Sequence, residues 1–217
     1  MPQSAKERPL LLEVGLRNAL SHFLVEGLQA GDRATHRRVA EELAGGGGGE
    51  FSPQSFAIIE ALRAAAGGGE AVLGRDCVAR RFALYARAFE QAPAGIDLGA
   101  RLGQARVLLD LRLYFEAHEI LEPAWMTATG EARDWLQGVI QASVAWAHME
   151  AGNRAGAHGV ALRAVRNLER APHSWAGFDL SAVRVLIGKW VQWLGRPESV
   201  AGPPPPLPGG DPARRAD

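Results

Sequence analysis

Residues 114–125 read Tyr-Phe-Glu-Ala-His-Glu-Ile-Leu-Glu-Pro-Ala-Trp, and residues 135–148 read Trp-Leu-Gln-Gly-Val-Ile-Gln-Ala-Ser-Val-Ala-Trp-Ala-His. Both carry apolar residues at the three-and-four spacing of a helix. With His118 at zero on such a helix, Glu119 lies at about 100°, Glu122 at about 40°, Trp125 at about −20° and Tyr114 at about −40°. One imidazole and two carboxylates thus share an arc flanked by two aromatic rings. Burying them beside Phe115, Leu121 and Trp125 is costly unless each is paired, protonated or bound to a cation.

The second stretch is apolar apart from one stripe, with Gln141 at about 40° and His148 at about 20° from Gln137. A short connection near residues 127–130 makes the two helices antiparallel neighbours. Glu122 is then expected to approach Gln137 and Gly138, and His118 to approach Gln141, while Tyr114 reaches toward Ala145 and His148. Gly138 would let the two backbones come close. Pro123 has no amide proton, so the carbonyl of Glu119 loses its helical partner and the helix should bend there.

Outside these stretches the chain also reads as helix, because Ala, Leu, Arg and Glu dominate and strand-like alternation is scarce. Helices are expected at about 9–29, 33–44, 53–66, 70–91, 98–126 with room for a break near Asp110, 131–151, 154–170 and 179–194. Asn153 and Asp179 suit N-caps, and Ser52-Pro53 supplies a cap followed by a proline in the first turn. The fold expected is all-α, an antiparallel helical bundle preceded by further helices. Three regions follow from composition: a helical region with glycine-rich loops over 1–95, the bundle carrying the polar site over 96–195, and a disordered proline-rich tail over 196–217. Pro203–Pro206 favours polyproline II, a ligand for SH3-like partners, although a solvated extension is the simpler reading.

The 217 residues hold 24 basic and 24 acidic side chains, so no net charge draws the protein to nucleic acid or to an anionic membrane. Neither partner is expected. Leu10–Leu12 is too short for a secretory signal, and the most apolar window, Val139–Met149, is too short for a bilayer, so a cytoplasmic address is expected. A single cysteine, Cys77, excludes an internal disulfide and reads as a small hydrophobe. Gly45–Gly49 lacks the Lys-Ser/Thr of a phosphate loop and is followed by Glu50, so it reads as a linker. The same run is too long for the turn of a helix-turn-helix after Arg33, Arg37 and Arg38. His22, His36 and His173 read as surface or cap residues, and His158 as a boundary residue.

The order His118-Glu119, Glu122, Trp125, then Gln137-Gly138, Gln141, His148 and Gly152-Asn153 resembles the domain-of-unknown-function family numbered three hundred and nine. The resemblance covers about residues 98–171, with Pro123 as a departure, and leaves the N-terminal half unaccounted for. It implies a small all-α bundle and a group label of metal-dependent hydrolase.

Two readings of the residues remain open. In one, His118 and Glu122, with Glu119 as an optional ligand, hold a single divalent ion (Zn, Mn or Fe), and His148 is a fourth ligand or a partner that orients one, for a small-molecule substrate. Glu119 then serves as general base, Gln141 and Gln137 orient groups or donate to an oxyanion, and Tyr114 and Trp125 support the site. His-Glu-x-x-Glu is not the zincin motif, so no protease is implied. In the other, the same residues form a hydrogen-bond network in a non-catalytic interaction or scaffold module. That module would use the Ala/Gly-rich face of 154–170 for partners and be compatible with a homo-oligomer.

Overall fold

Local punctuation sets the helix boundaries. In the computed structural model, residues 14–29, 32–45, 51–65, 75–197, 202 and 204–208 are described. They fall in two compact units, Met1–Glu90 and Gln91–Asp217. Among the described residues are α1 (Val14–Gln29), α2 (Arg33–Ala44), α3 (Pro53–Ala65), α4 (Arg75–Gln91), α5 (Leu98–Asp110), α6 (Tyr114–Thr127), α7 (Gly130–Glu150), α8 (Arg154–Leu168) and α9 (Leu180–Leu194). The all-α expectation holds. The parts of the expected helices at 9–13, 66 and 70–74, together with 46–49 and the side chain of Cys77, lie outside the described residues.

The caps read from sequence form. Asn153 accepts from the Gly156 amide at 2.9 Å and Asp179 from the Ala182 amide at 2.8 Å. Ser52 Oγ accepts from the Ser55 amide at 3.2 Å, and Pro53 opens α3. Each bond satisfies an amide that the first helical turn would otherwise orphan. The break near Asp110 is also present. Leu111–Leu113 separate α5 from α6, with Arg112 in the left-handed region at φ +59° and both leucines buried.

In the first unit, Phe23 of α1 meets Phe82 edge-on at 5.5 Å and Phe89 at 6.0 Å, both from α4. Half-buried His36 of α2 joins this cluster 5.3 Å from Phe23, with Nδ1 against the carbonyl of the cap residue Asp32 at 3.1 Å.

In the second unit, α7 packs against α6, α8 and α9. Its Trp135, Leu136, Val139, Ala142, Ala145 and Trp146 are buried. On α8 the small residues Ala157, Ala161 and Ala164 are fully buried with Leu168. The close approach that Ala157 and Ala161 permit is used inside the bundle, while Gly156 and Gly159 are half-buried.

Between α8 and α9 lies an unexpected hairpin of β1 (Ser174–Trp175) and β2 (Phe178–Asp179), paired antiparallel with Trp175 opposite Phe178. Its two-residue turn, Ala176 at φ +47° and Gly177 at φ +79°, has the positive φ pair of a type I′ turn. Trp175 is exposed there, its ring 5.9 Å from that of Trp135.

Described residues of the proline-rich stretch carry contacts to the helices of the second unit. Carbonyls of Gly202, Pro206 and Pro208 accept hydrogen bonds from Trp193, Trp190 and Tyr114. Proline lacks a donor but keeps its carbonyl, which can seek donors elsewhere. Among the described residues no helix is long and apolar enough to cross a membrane.

Candidate functional site

The second and third turns of α6 bring His118, Glu119 and Glu122 together. His118 Nδ1 lies 2.7 Å from the Phe115 carbonyl, and the Phe115 ring meets the imidazole edge-on at 4.8 Å. A carbonyl can only accept, so Nδ1 carries the proton of that bond and Nε2 is directed elsewhere. Nε2 lies 3.2 Å from Glu119 Oε1 and 3.4 Å from Glu122 Oε1. The His118 side chain is 13% exposed, while the two carboxylates are 36% and 38% exposed.

The residues fit a cation. One ligand atom from each lies within 4.8 Å of the others. Metal–nitrogen and metal–oxygen bonds of about 2.0–2.2 Å in a tetrahedral site separate neighbouring ligand atoms by roughly 3.4 Å. The two His118 distances match that edge. A backbone carbonyl fixing the far nitrogen is also the usual partner of a metal-bound histidine.

The rest of the expected constellation does not converge. Trp146 of α7 lies 6.1 Å, ring to ring, from Tyr114 of α6, and on a helix it stands about 180° from Gln137. The glutamine stripe therefore turns away from α6. Gln141 Oε1 instead accepts from Asn167 Nδ2 of α8 at 2.9 Å. Gly138 also serves α8, because a Cβ there would come within 2.6 Å of Leu168 Cγ. The expected pairings of His118 with Gln141, and of Glu122 with Gln137 and Gly138, are corrected.

His148 is outside the cluster too. Its Nδ1 faces Asn153 Nδ2 at 3.3 Å, where α7 ends. Counted from the α6–α7 turn, it sits nine residues beyond the level of His118, about 13 Å further along the helix. Tyr114 donates to the Pro208 carbonyl rather than toward His148, and burial raises its phenol far above the usual range.

Three residues that sequence reading did not single out hold this part of the fold. Arg101 is buried on α5 and donates to the carbonyls of Ile96 at 2.8 Å and Ile120 at 3.0 Å. The second bond pins α5 to α6 beside the ladder position that Pro123 leaves open. Loss of solvent lowers the pKa of the Arg101 guanidinium. Arg133 lies 4.5 Å over the Trp125 ring and donates to the Trp125 carbonyl at 3.0 Å, closing the end of α6. Asn167 is the partner that makes Gln141 structural. Lone arginines or asparagines on helices carry no sequence signal for such contacts.

An all-α unit with a His/Glu cluster on one helix is thus the class that fold and site define. Residues 102–160, from α5 into α8, match the model of the family described as Domain of unknown function (DUF309). The likeness inferred from the motifs is shown for that segment, which contains every motif position from His118 to Asn153. No curated protein and no solved structure matches the chain.

Proposed function

We propose that the second unit binds one divalent cation on His118, Glu119 and Glu122 and acts as a metal-dependent hydrolase on a small molecule. One observation carries this reading: an oriented imidazole nitrogen with two carboxylate oxygens at 3.2 and 3.4 Å, all partly open to solvent. When bound, such an ion supplies Lewis acidity and a water acidified toward neutral pH. The chain's own groups do the remaining work. Phe115 holds the imidazole in one orientation through its carbonyl. Glu119 and Glu122 each direct one oxygen at His118, and Glu119, beside the site, serves as general base. Their exposure leaves room for a substrate on the solvent side.

A second reading, a non-catalytic interaction or scaffold module, draws on the Gln141–Asn167 bond and the Gly138–Leu168 contact, which make two positions of the motif packing devices.

Metal-stripped protein melted with and without Zn²⁺, Mn²⁺ or Fe²⁺ separates them. Binding to the native state alone adds about 2.7 kcal/mol at a hundred-fold excess over Kd and raises the midpoint. His118→Ala is expected to abolish that rise while changing the metal-free midpoint little. No rise with any ion, or the same rise in the variant, refutes the metal site. Metal binding without turnover of chromogenic esters or phosphoesters, or turnover indifferent to Glu119→Gln, leaves the module reading.

A further inference from the structure

Three aromatic side chains of the second unit donate, in order, to backbone carbonyls of the proline-rich stretch. Trp193 Nε1 donates to Gly202 O at 3.1 Å, Trp190 Nε1 to Pro206 O at 3.1 Å, and the Tyr114 hydroxyl to Pro208 O at 2.6 Å. Contacts within the bundle hold these rings. Trp190 and Trp193 meet edge-to-face at 5.5 Å. The Arg154 guanidinium sits 3.9 Å from the Trp193 ring centroid and donates to the Trp193 carbonyl at 2.9 Å. Tyr114 rests against Trp146.

The stretch itself has the matching period. Pro205-Pro206-Leu207-Pro208 places two prolines three residues apart, on one face of a three-residue polyproline II turn. Pro205 and Pro208 are half-buried, whereas Pro204 and Pro206 are exposed. Aromatic-lined grooves with ring donors take Pro-x-x-Pro segments by this chemistry. All three bonds go to carbonyls, so the groove selects a chain that offers acceptors and carries few amide donors of its own.

We infer that Trp193, Trp190 and Tyr114 form a groove for Pro-x-x-Pro peptides, occupied by the chain's own Pro205–Pro208 and open to a proline-rich segment of another protein that displaces it. The tethered occupant competes at an effective concentration on the order of a millimolar, as a short linker dictates. An outside peptide therefore binds well only once the tether is displaced or weakened. None of this depends on a metal.

The test uses the full chain and its Pro205→Ser/Pro208→Ser double variant, titrated with a fluorescein-labelled peptide of residues 202–208 and followed by anisotropy. The double variant is expected to bind saturably and at least about ten-fold more tightly than the unmodified chain. Adding Trp193→Phe or Tyr114→Phe, each of which removes one donor, should weaken binding by roughly two- to ten-fold. Circular dichroism checks that each variant is folded. Absence of saturable binding by the double variant, equal affinity in the two proteins, or indifference to both donor substitutions overturns the inference. A dimer in sedimentation that the double variant loses would make a second copy the occupant, which overturns the assignment to another protein.

Discussion

His118 shows how one short backbone bond selects chemistry: with Nδ1 committed to Phe115, the other nitrogen must meet the two carboxylates. Arg101 shows the same logic in a structural role. Its two carbonyl partners lose a charged donor in Arg101→Leu, which is expected to cost about 1.5–3 kcal/mol per charged hydrogen bond removed, measured by urea unfolding. A loss below about 0.5 kcal/mol would mean that water replaces the guanidinium. In the first unit, Glu42 accepts from Ser55 Oγ at 2.6 Å and from the Ser52 amide at 3.2 Å. These bonds, that of Ser55 foremost, hold the Glu42 carboxyl below its usual 4.5. A lowered folded pKa stabilises above the unfolded value, and the contribution is lost as pH falls through the folded one. Ser55→Ala should therefore melt earlier than the unmodified chain at neutral pH, with the gap narrowing below about pH 4.5. A gap that stays constant through that range would contradict the bond's role.

Among the elements of the second unit, α7 packs against α6, α8 and α9. Gly138→Ala is expected to destabilise by about 1–3 kcal/mol, because the new methyl meets Leu168 with its backbone amide only 3.2 Å away. Combining it with Leu168→Ala should cost less than the sum of the two single changes, and strict additivity in denaturant titrations would place Gly138 elsewhere. At the start of α8, Asn153→Ala should cost about 1 kcal/mol as a lost cap. The helices were legible because apolar period, caps and breakers agree along each one, including the stop after Asp110. The hairpin was not. Its turn is Ala176-Gly177 where the usual signal is Asn-Gly, and its strands are two residues each. The face of α7 that meets α6 was also hidden. A helix with three neighbours can present its polar stripe to any of them, and angular arithmetic within one helix does not choose.

For the whole molecule, two compact units predict two transitions in calorimetry. Ser55→Ala should lower the one belonging to Met1–Glu90, and Gly138→Ala the one belonging to Gln91–Asp217. A single transition moved by both substitutions would show that the units unfold together.

By itself the amino-acid order determined an all-α fold class, its caps and breaks, the family likeness of residues 102–160, and the clustering of His118, Glu119 and Glu122. All of these lie within a few turns, where 3.6 residues per turn dictates position. Only tertiary packing decided that Gln141 pairs with Asn167, that His148 stands apart, and that the proline stretch lies on Trp190, Trp193 and Tyr114. Those contacts join residues 26 and 94 positions apart, as in Gln141–Asn167 and Tyr114–Pro208, and are chosen by which helices share a core rather than by any local period.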